Sequence, residues 1–156
     1  MKDFNKNLTG LAGECAVMTQ LCLKGYAPSM TYNNCPSIDI ICYNPELKKT
    51  VTIQVKTVRE KKNGNKIYSF PVMGNRDKRE DFYKEVSGAF VFVYIDCNDL
   101  FHFYILSKEQ FITLSRKIED DYDALVRSKP IKPKSPMAMP RKHVVEFEDK
   151  WYNLWI

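Results

Sequence analysis

The chain has 156 residues, 44% of them apolar and 28% charged, which suits a single domain with a real hydrophobic core. No apolar run reaches the roughly 18 residues that span a bilayer, and the opening MKDFNKNLTG lacks the apolar stretch of a signal peptide, so the expected location is cytoplasmic, with no membrane partner. The net charge of +5 is local: Lys129, Lys132, Lys134, Arg141 and Lys142 share one acid-free stretch, and the other 19 basic residues are balanced by 19 acidic ones.

Apolar residues Leu8, Leu11, Ala12, Cys15, Met18 and Cys22 recur at three- and four-residue steps, which predicts an amphipathic helix over 8–24 that ends at Gly25. Glu14 borders that apolar arc. The five cysteines include no CxxC pair and are expected to be reduced core thiols rather than a zinc site. Tyr26 to Tyr32 is a short first strand weakened by Pro28, and Asn33 to Pro36 a turn. Ile38 to Tyr43 and the β-branched run Val51 to Val58 then form a hairpin across the turn NPELKK.

A polar loop around Asn63-Gly64 leads to a strand over Ile67 to Val72, a basic turn at Gly74 to Arg76 and a charged helical segment over Asp77 to Val86. Ala89 to Ile95 and Leu100 to Leu106 read as a second hairpin, giving five or six strands. Ser107 with Gln110 has capping-box spacing and opens a helix through Phe111, Leu114, Ile118, Tyr122 and Leu125, whose EDDYD stretch is expected to be solvated. Four prolines between Pro130 and Pro140 argue against regular structure there. The expected organisation is a core over 1–127, a basic Pro-rich loop or linker over 128–142, and an aromatic segment over 143–156 that docks on the core as a short strand and a helical turn. His102 and His143 are read as packing or surface residues. Neither a Walker P-loop nor a GxGxxG is present, so no nucleotide cofactor is expected.

The hairpin strands carry residues that packing alone would not select. Asp39 sits between Ile38 and Ile40, while Gln54 and Lys56 project from the side of their strand opposite Ile53 and Val55. Taken singly these are a turn cap and two solvent-facing residues; together with Glu14 they make an oxygen-rich set suited to a hard divalent cation. Asp39 would be a direct ligand, with the Gln54 amide oxygen, the Val55 carbonyl and Glu14 completing the set. Lys56 would orient a water activated by the cation and offset charge on a phosphate.

The succession GLAGE (Gly10 to Glu14), SID (Ser37 to Asp39) and IQVKT (Ile53 to Thr57) resembles the PD-(D/E)XK nuclease superfamily, which includes restriction enzymes and Holliday-junction resolvases. The resemblance covers roughly Leu8 to Leu106, and the closing EDKWYNLW resembles a tail found in some branches. It implies an α/β (α+β) fold with a restriction-endonuclease-like mixed central sheet flanked by helices. It makes Glu14 the helix acid, Asp39 the metal-binding aspartate, Gln54 the (D/E) position and Lys56 the lysine, a Gln-x-Lys variant whose site carries one negative charge fewer. Mg²⁺ or Mn²⁺ is the implied cofactor and DNA the implied partner, and a homodimer is allowed. Lys61, Lys62, Arg76, Lys78, Arg79, Lys132 and Lys134 are the candidate phosphate contacts. The expected activity is metal-dependent endonuclease cleavage; the alternative is a catalytically inactive module of the same fold that binds nucleic acid or a protein partner.

Overall fold

The computed structural model describes residues 6–31, 37–60, 69–129 and 136–156. The turn expected at 33–36, the loop around Asn63-Gly64, Cys35, Lys61, Lys62, Lys132 and Lys134 lie outside them. Within the described residues no helix is long and apolar enough to cross a membrane.

Helix α1 (Lys6–Leu23) is followed by strands β1 (Ala27–Met30), β2 (Ile40–Asn44) and β3 (Lys49–Arg59), which pair antiparallel in succession. At the β2–β3 turn the Asn44 Oδ1 accepts from the amides of Glu46 and Leu47 at 3.0 and 3.1 Å. Strand β4 (Ser69–Met73), a 3₁₀ turn at Arg76–Lys78 and helix α2 (Arg79–Glu85) carry the chain over to β5 (Ala89–Ile95), which lies parallel to β3. Antiparallel β6 (Phe101–Leu106) completes a mixed sheet of order β1-β2-β3-β5-β6. Helix α3 (Lys108–Ser128) starts at the expected capping box: Gln110 N donates to Ser107 Oγ at 3.2 Å and Ser107 N to Gln110 Oε1 at 2.9 Å.

Alternation along the strands divides the core in two. On one face Ile40, Cys42, Ile53, Val55, Val91, Val93 and Ile105 meet Val17 and Leu21 of α1 and the C-terminal Trp151 and Leu154. On the other, Val58, Phe90, Phe92, Tyr94, Tyr104 and Leu106 meet Phe70, Phe111 and Met139. Phe111 of α3 stacks on Phe90 with ring centroids 3.6 Å apart.

Several expectations are corrected. The ridge of α1 that is buried is Gly13, Val17 and Leu21, which turns Leu8, Leu11, Cys15 and Cys22 outward. Apolar count favours the outward stripe, but the close approach of the helix at Gly13, where a Cβ would lie 1.9 Å from Thr57 Oγ1, sets which ridge faces the sheet and carries Val17 and Leu21 into the core with it. Among the described cysteines only Cys42 is a core thiol, and burial pushes it up to about 11. The proline-rich stretch does contain regular structure, because β7 (Met137–Pro140) pairs with β4 in a separate two-stranded ribbon, where a missing proline N–H is tolerated. The acidic stretch of α3 is not wholly solvated: Glu119 is buried and ion-paired with Arg76 at 2.6 Å. His102, read as a packing or surface residue, is one-third exposed, with its ring nitrogens facing Glu148 at 3.0 Å and Asp96 at 3.6 Å.

The C-terminal stretch forms three 3₁₀ turns rather than a strand, with a single bridge from Glu148 to Tyr104. Asn153 Nδ2 donates to the Ile105 carbonyl at 2.7 Å, and Trp155 meets Tyr26 edge-on at 4.9 Å.

Candidate active site

Asp39 stands where β2 begins to leave β3. The register pairs Ile40 with Ile53, so regular continuation would set Ile38 opposite Val55 and direct the Val55 N–H to the Ile38 carbonyl. Instead the Ile38 carbonyl accepts from Thr31 Oγ1 at 2.5 Å, and Ser37 adopts φ 67°. The Val55 N–H donates to Asp39 Oδ2 at 2.7 Å. The Asp39 N–H itself reaches the carbonyl of Ile53, the residue already opposite Ile40, at 3.0 Å. Two residues of one strand facing one of the other is the pattern of a β-bulge, which re-aims a side chain. The bulge brings the Asp39 carboxylate alongside β3 at Val55, on the side to which the N–H and C=O of Val55 both point.

Gln54 and Lys56 are half-buried on β3 and share the face opposite Ile53 and Val55. They lie beside Phe90 and Phe92 of β5. Glu14 comes from α1, half-buried next to the ridge that Gly13 seats on Thr57. Burial holds its carboxyl above the ordinary value, and the charge of Asp39 pushes it further the same way. Burial lowers the Lys56 ammonium, an effect that the Asp39 carboxylate opposes. Asp39 is thus within electrostatic reach of both Glu14 on the helix and Lys56 on the strand.

The donors expected from the sequence, two carboxylates, the Gln54 amide and the Val55 carbonyl, would make an all-oxygen set of the kind a hard cation accepts; the contact that links two of these residues directly is Val55 N–H to Asp39 Oδ2. Among the described residues no group of three or more His, Cys, Asp or Glu side chains gathers that could hold a metal ion. A half-buried acid destabilised by a neighbouring acid is the electrostatic situation a divalent cation relieves.

The candidate phosphate contacts divide. Arg76 is buried, its guanidinium paired with Glu119 and Asp123 and stacked 3.7 Å over the Tyr122 ring, so its charge serves the interior. Arg79 pairs with Asp123 at 2.8 Å. Lys78 is exposed. Three features escaped sequence reasoning: the bulge at Asp39, the Thr31 hydroxyl that holds it open, and the seat of Gly13 on Thr57. Only the last left a signal, the small residue before the acid in GLAGE.

No protein-family model matches the chain, and no curated protein matches it. Among solved structures, the bacterial homing endonuclease I-Ssp6803I aligns with a TM-score of 0.55 over 96% of this chain and 91% of its own, at 16% sequence identity. That likeness, with the five-stranded mixed sheet and its flanking helices, shows that the chain has a nuclease-like fold of the restriction-endonuclease type.

Proposed function

We propose that the chain is a Mg²⁺- or Mn²⁺-dependent DNA endonuclease that hydrolyses phosphodiester bonds at Asp39, Gln54 and Lys56, with Glu14 assisting. The observation that carries this reading is the diverted hydrogen bond: the Asp39 carboxylate fixed on the Val55 N–H, within reach of Glu14 and Lys56. A bound cation would be held by Asp39, the Gln54 amide oxygen, the Val55 carbonyl and Glu14, and would supply polarisation of the phosphate and a more acidic water. Asp39 keeps its geometry because Val55 N–H pins one oxygen and leaves the other available. Lys56 offsets charge on the phosphate oxygens and orients the attacking water; its burial loosens its hold on the proton, which suits it to accept one from that water. Lys78 is a phosphate contact, as are Lys61, Lys62, Lys132 and Lys134 in this proposal.

A second reading rests on Gln54. With an amide where an acid would bind the cation more tightly, the fold could act as a binding module without chemistry.

The test is cleavage of supercoiled plasmid by the purified full chain with Mg²⁺ or Mn²⁺. Nicked and linear products are expected from the parent, and a loss of at least about a hundredfold in rate from Asp39→Asn and from Lys56→Met. Asn is chosen because its amide oxygen can still accept from Val55 N–H, whereas Asp39→Ala orphans that amide at a cost of about 1–3 kcal/mol. An unchanged rate in either variant overturns the site. DNA binding in chelator without cleavage at any metal concentration would instead establish the binding module.

A further inference from the structure

Among the described residues, the two cores leave one region of the sheet without a packed layer. On the face that carries Gln54 and Lys56, the half formed by β5 and β6 is packed with aromatic side chains. The other half, formed by β1, β2 and the start of β3, presents Ser29, Ile41, Tyr43, Thr50 and Thr52. These alternate with Ile40, Cys42 and Ile53, which are buried on the α1 side. Ile41 is 43% and Tyr43 41% exposed, large side chains that a sheet covered on both faces would bury. Cross-strand pairing makes the surface continuous: Ser29 opposes Ile41, Ile41 opposes Thr52, and Tyr43 opposes Thr50. Along β3 the same face carries Thr50, Thr52, Gln54 and Lys56, with the Ser87 hydroxyl of the α2–β5 connection 3.4 Å from Thr52 Oγ1.

We propose that this bare sheet face is the surface that reads the base edges of duplex DNA beside the cleaved phosphate. The inference rests on the endonuclease reading above and extends it from the reacting bond to the flanking sequence. Continuity with the site argues for DNA as the occupant: a polymer whose phosphate lies at Lys56 must continue over the adjoining surface, and the exposed side chains on this face of the sheet lie toward Thr50, past Ser87 beside Thr52. The chemistry is that of groove readout rather than backbone attraction. The hydroxyls of Tyr43, Thr50 and Ser29 both donate and accept, and Ile41 offers an apolar contact of the kind a thymine methyl takes. From Lys56 to Thr50 the strand advances about 20 Å at roughly 3.3 Å per residue, the rise of about six base pairs at 3.4 Å each. At the far end Lys48 and Lys49, with Glu46 beside them, are exposed on the β2–β3 turn, where a backbone contact would close the footprint.

The experiment places a photo-crosslinking amino acid at position 41, 43 or 8 of the full chain and irradiates each protein with plasmid DNA in chelator. Position 8, on the outward stripe of α1, is the control. Crosslinks from 41 and 43 but not from 8 are expected. A companion selection on duplexes with a randomised centre compares the parent with Tyr43→Ser and Ile41→Ser. About tenfold or more loss of discrimination is expected at base pairs within about six of the cut, with cleavage of the relaxed sequences retained. If the parent cuts DNA while 41 and 43 give no crosslink, or the selected sequences are unchanged in both variants, the readout surface is overturned and the endonuclease reading stands. If the parent cuts nothing yet 41 and 43 crosslink, the endonuclease reading falls and the DNA-binding face remains. Neither cleavage nor crosslinking overturns both.

Discussion

At the residue scale, the site is assembled at the expense of stability. Burial and the Asp39 charge raise the Glu14 carboxyl, so the folded state holds that proton more tightly than the unfolded chain does. This contribution is complete below the ordinary value of 4.5 and is gone once the pH has risen through the higher folded value. Near neutral pH what remains is a half-buried anion beside a second anion, which weakens the fold. Glu14→Gln is therefore expected to melt at a higher temperature than the parent near pH 7 in chelator, and to show no advantage near about pH 4. Thermal melts at the two pH values check this, and a lower melting temperature at neutral pH would show that the carboxylate stabilises the fold without a cation. Lys56 follows the same logic with the sign of charge reversed, since burial lowers its affinity for the proton. Residues kept at such positions despite the strain are a reason to look for chemistry there.

At the element scale, the separation between helix acid and strand acid is set by how closely α1 lies on β3. Gly13 seats on Thr57 with no room for a methyl group, and the next residue is Glu14. Gly13→Ala is expected to lift α1 from the sheet, to lower stability by about 1–3 kcal/mol despite the better helix propensity of alanine, and to reduce cleavage. Restoration of both by the added change Thr57→Gly would assign the effect to this contact, and denaturant melts with rate measurements on the single and double variants read it. What was legible in the sequence follows from locality. The β-branched run of β3, the apolar runs of β5 and β6 and the capping box at Ser107 are decided by near neighbours, and all appear close to the expected bounds. The buried side of α1 was not legible, because apolar spacing counts hydrophobicity while the contact of Gly13 with Thr57 fixes which ridge faces the sheet. The ribbon of β4 with β7 and the pairing of Arg76 with Glu119 join segments far apart in the chain, which no local pattern encodes. Of the site, residue types and order were visible in GLAGE, SID and IQVKT. The bulge that aims Asp39 depends on Thr31, a residue outside every motif.

At the scale of the whole molecule, the two halves of the sheet are anchored unequally. All seven residues of β5 are buried, between the α1 core on one face and the aromatic core on the other. Strand β2 alternates buried and exposed positions, because it is packed on the α1 side alone. Local opening should follow that difference, since segments with fewer buried contacts open at lower free energy than the global unfolding event. Amide hydrogen exchange is expected to be markedly slower along Ala89–Ile95 than along Ile40–Asn44; equal rates would mean that the hairpin and the centre of the sheet open together. Asp39 belongs to the softly held half, while Gln54 and Lys56 sit on the strand that joins it to the firmly held one. The proposed site therefore straddles the boundary between the two halves, and a small excursion of β2 would separate its residues with the rest of the fold still closed. Duplex DNA lying across the bare face would clamp β2 to β3, so in this proposal the substrate completes the rigidity that the free protein lacks at its own catalytic aspartate.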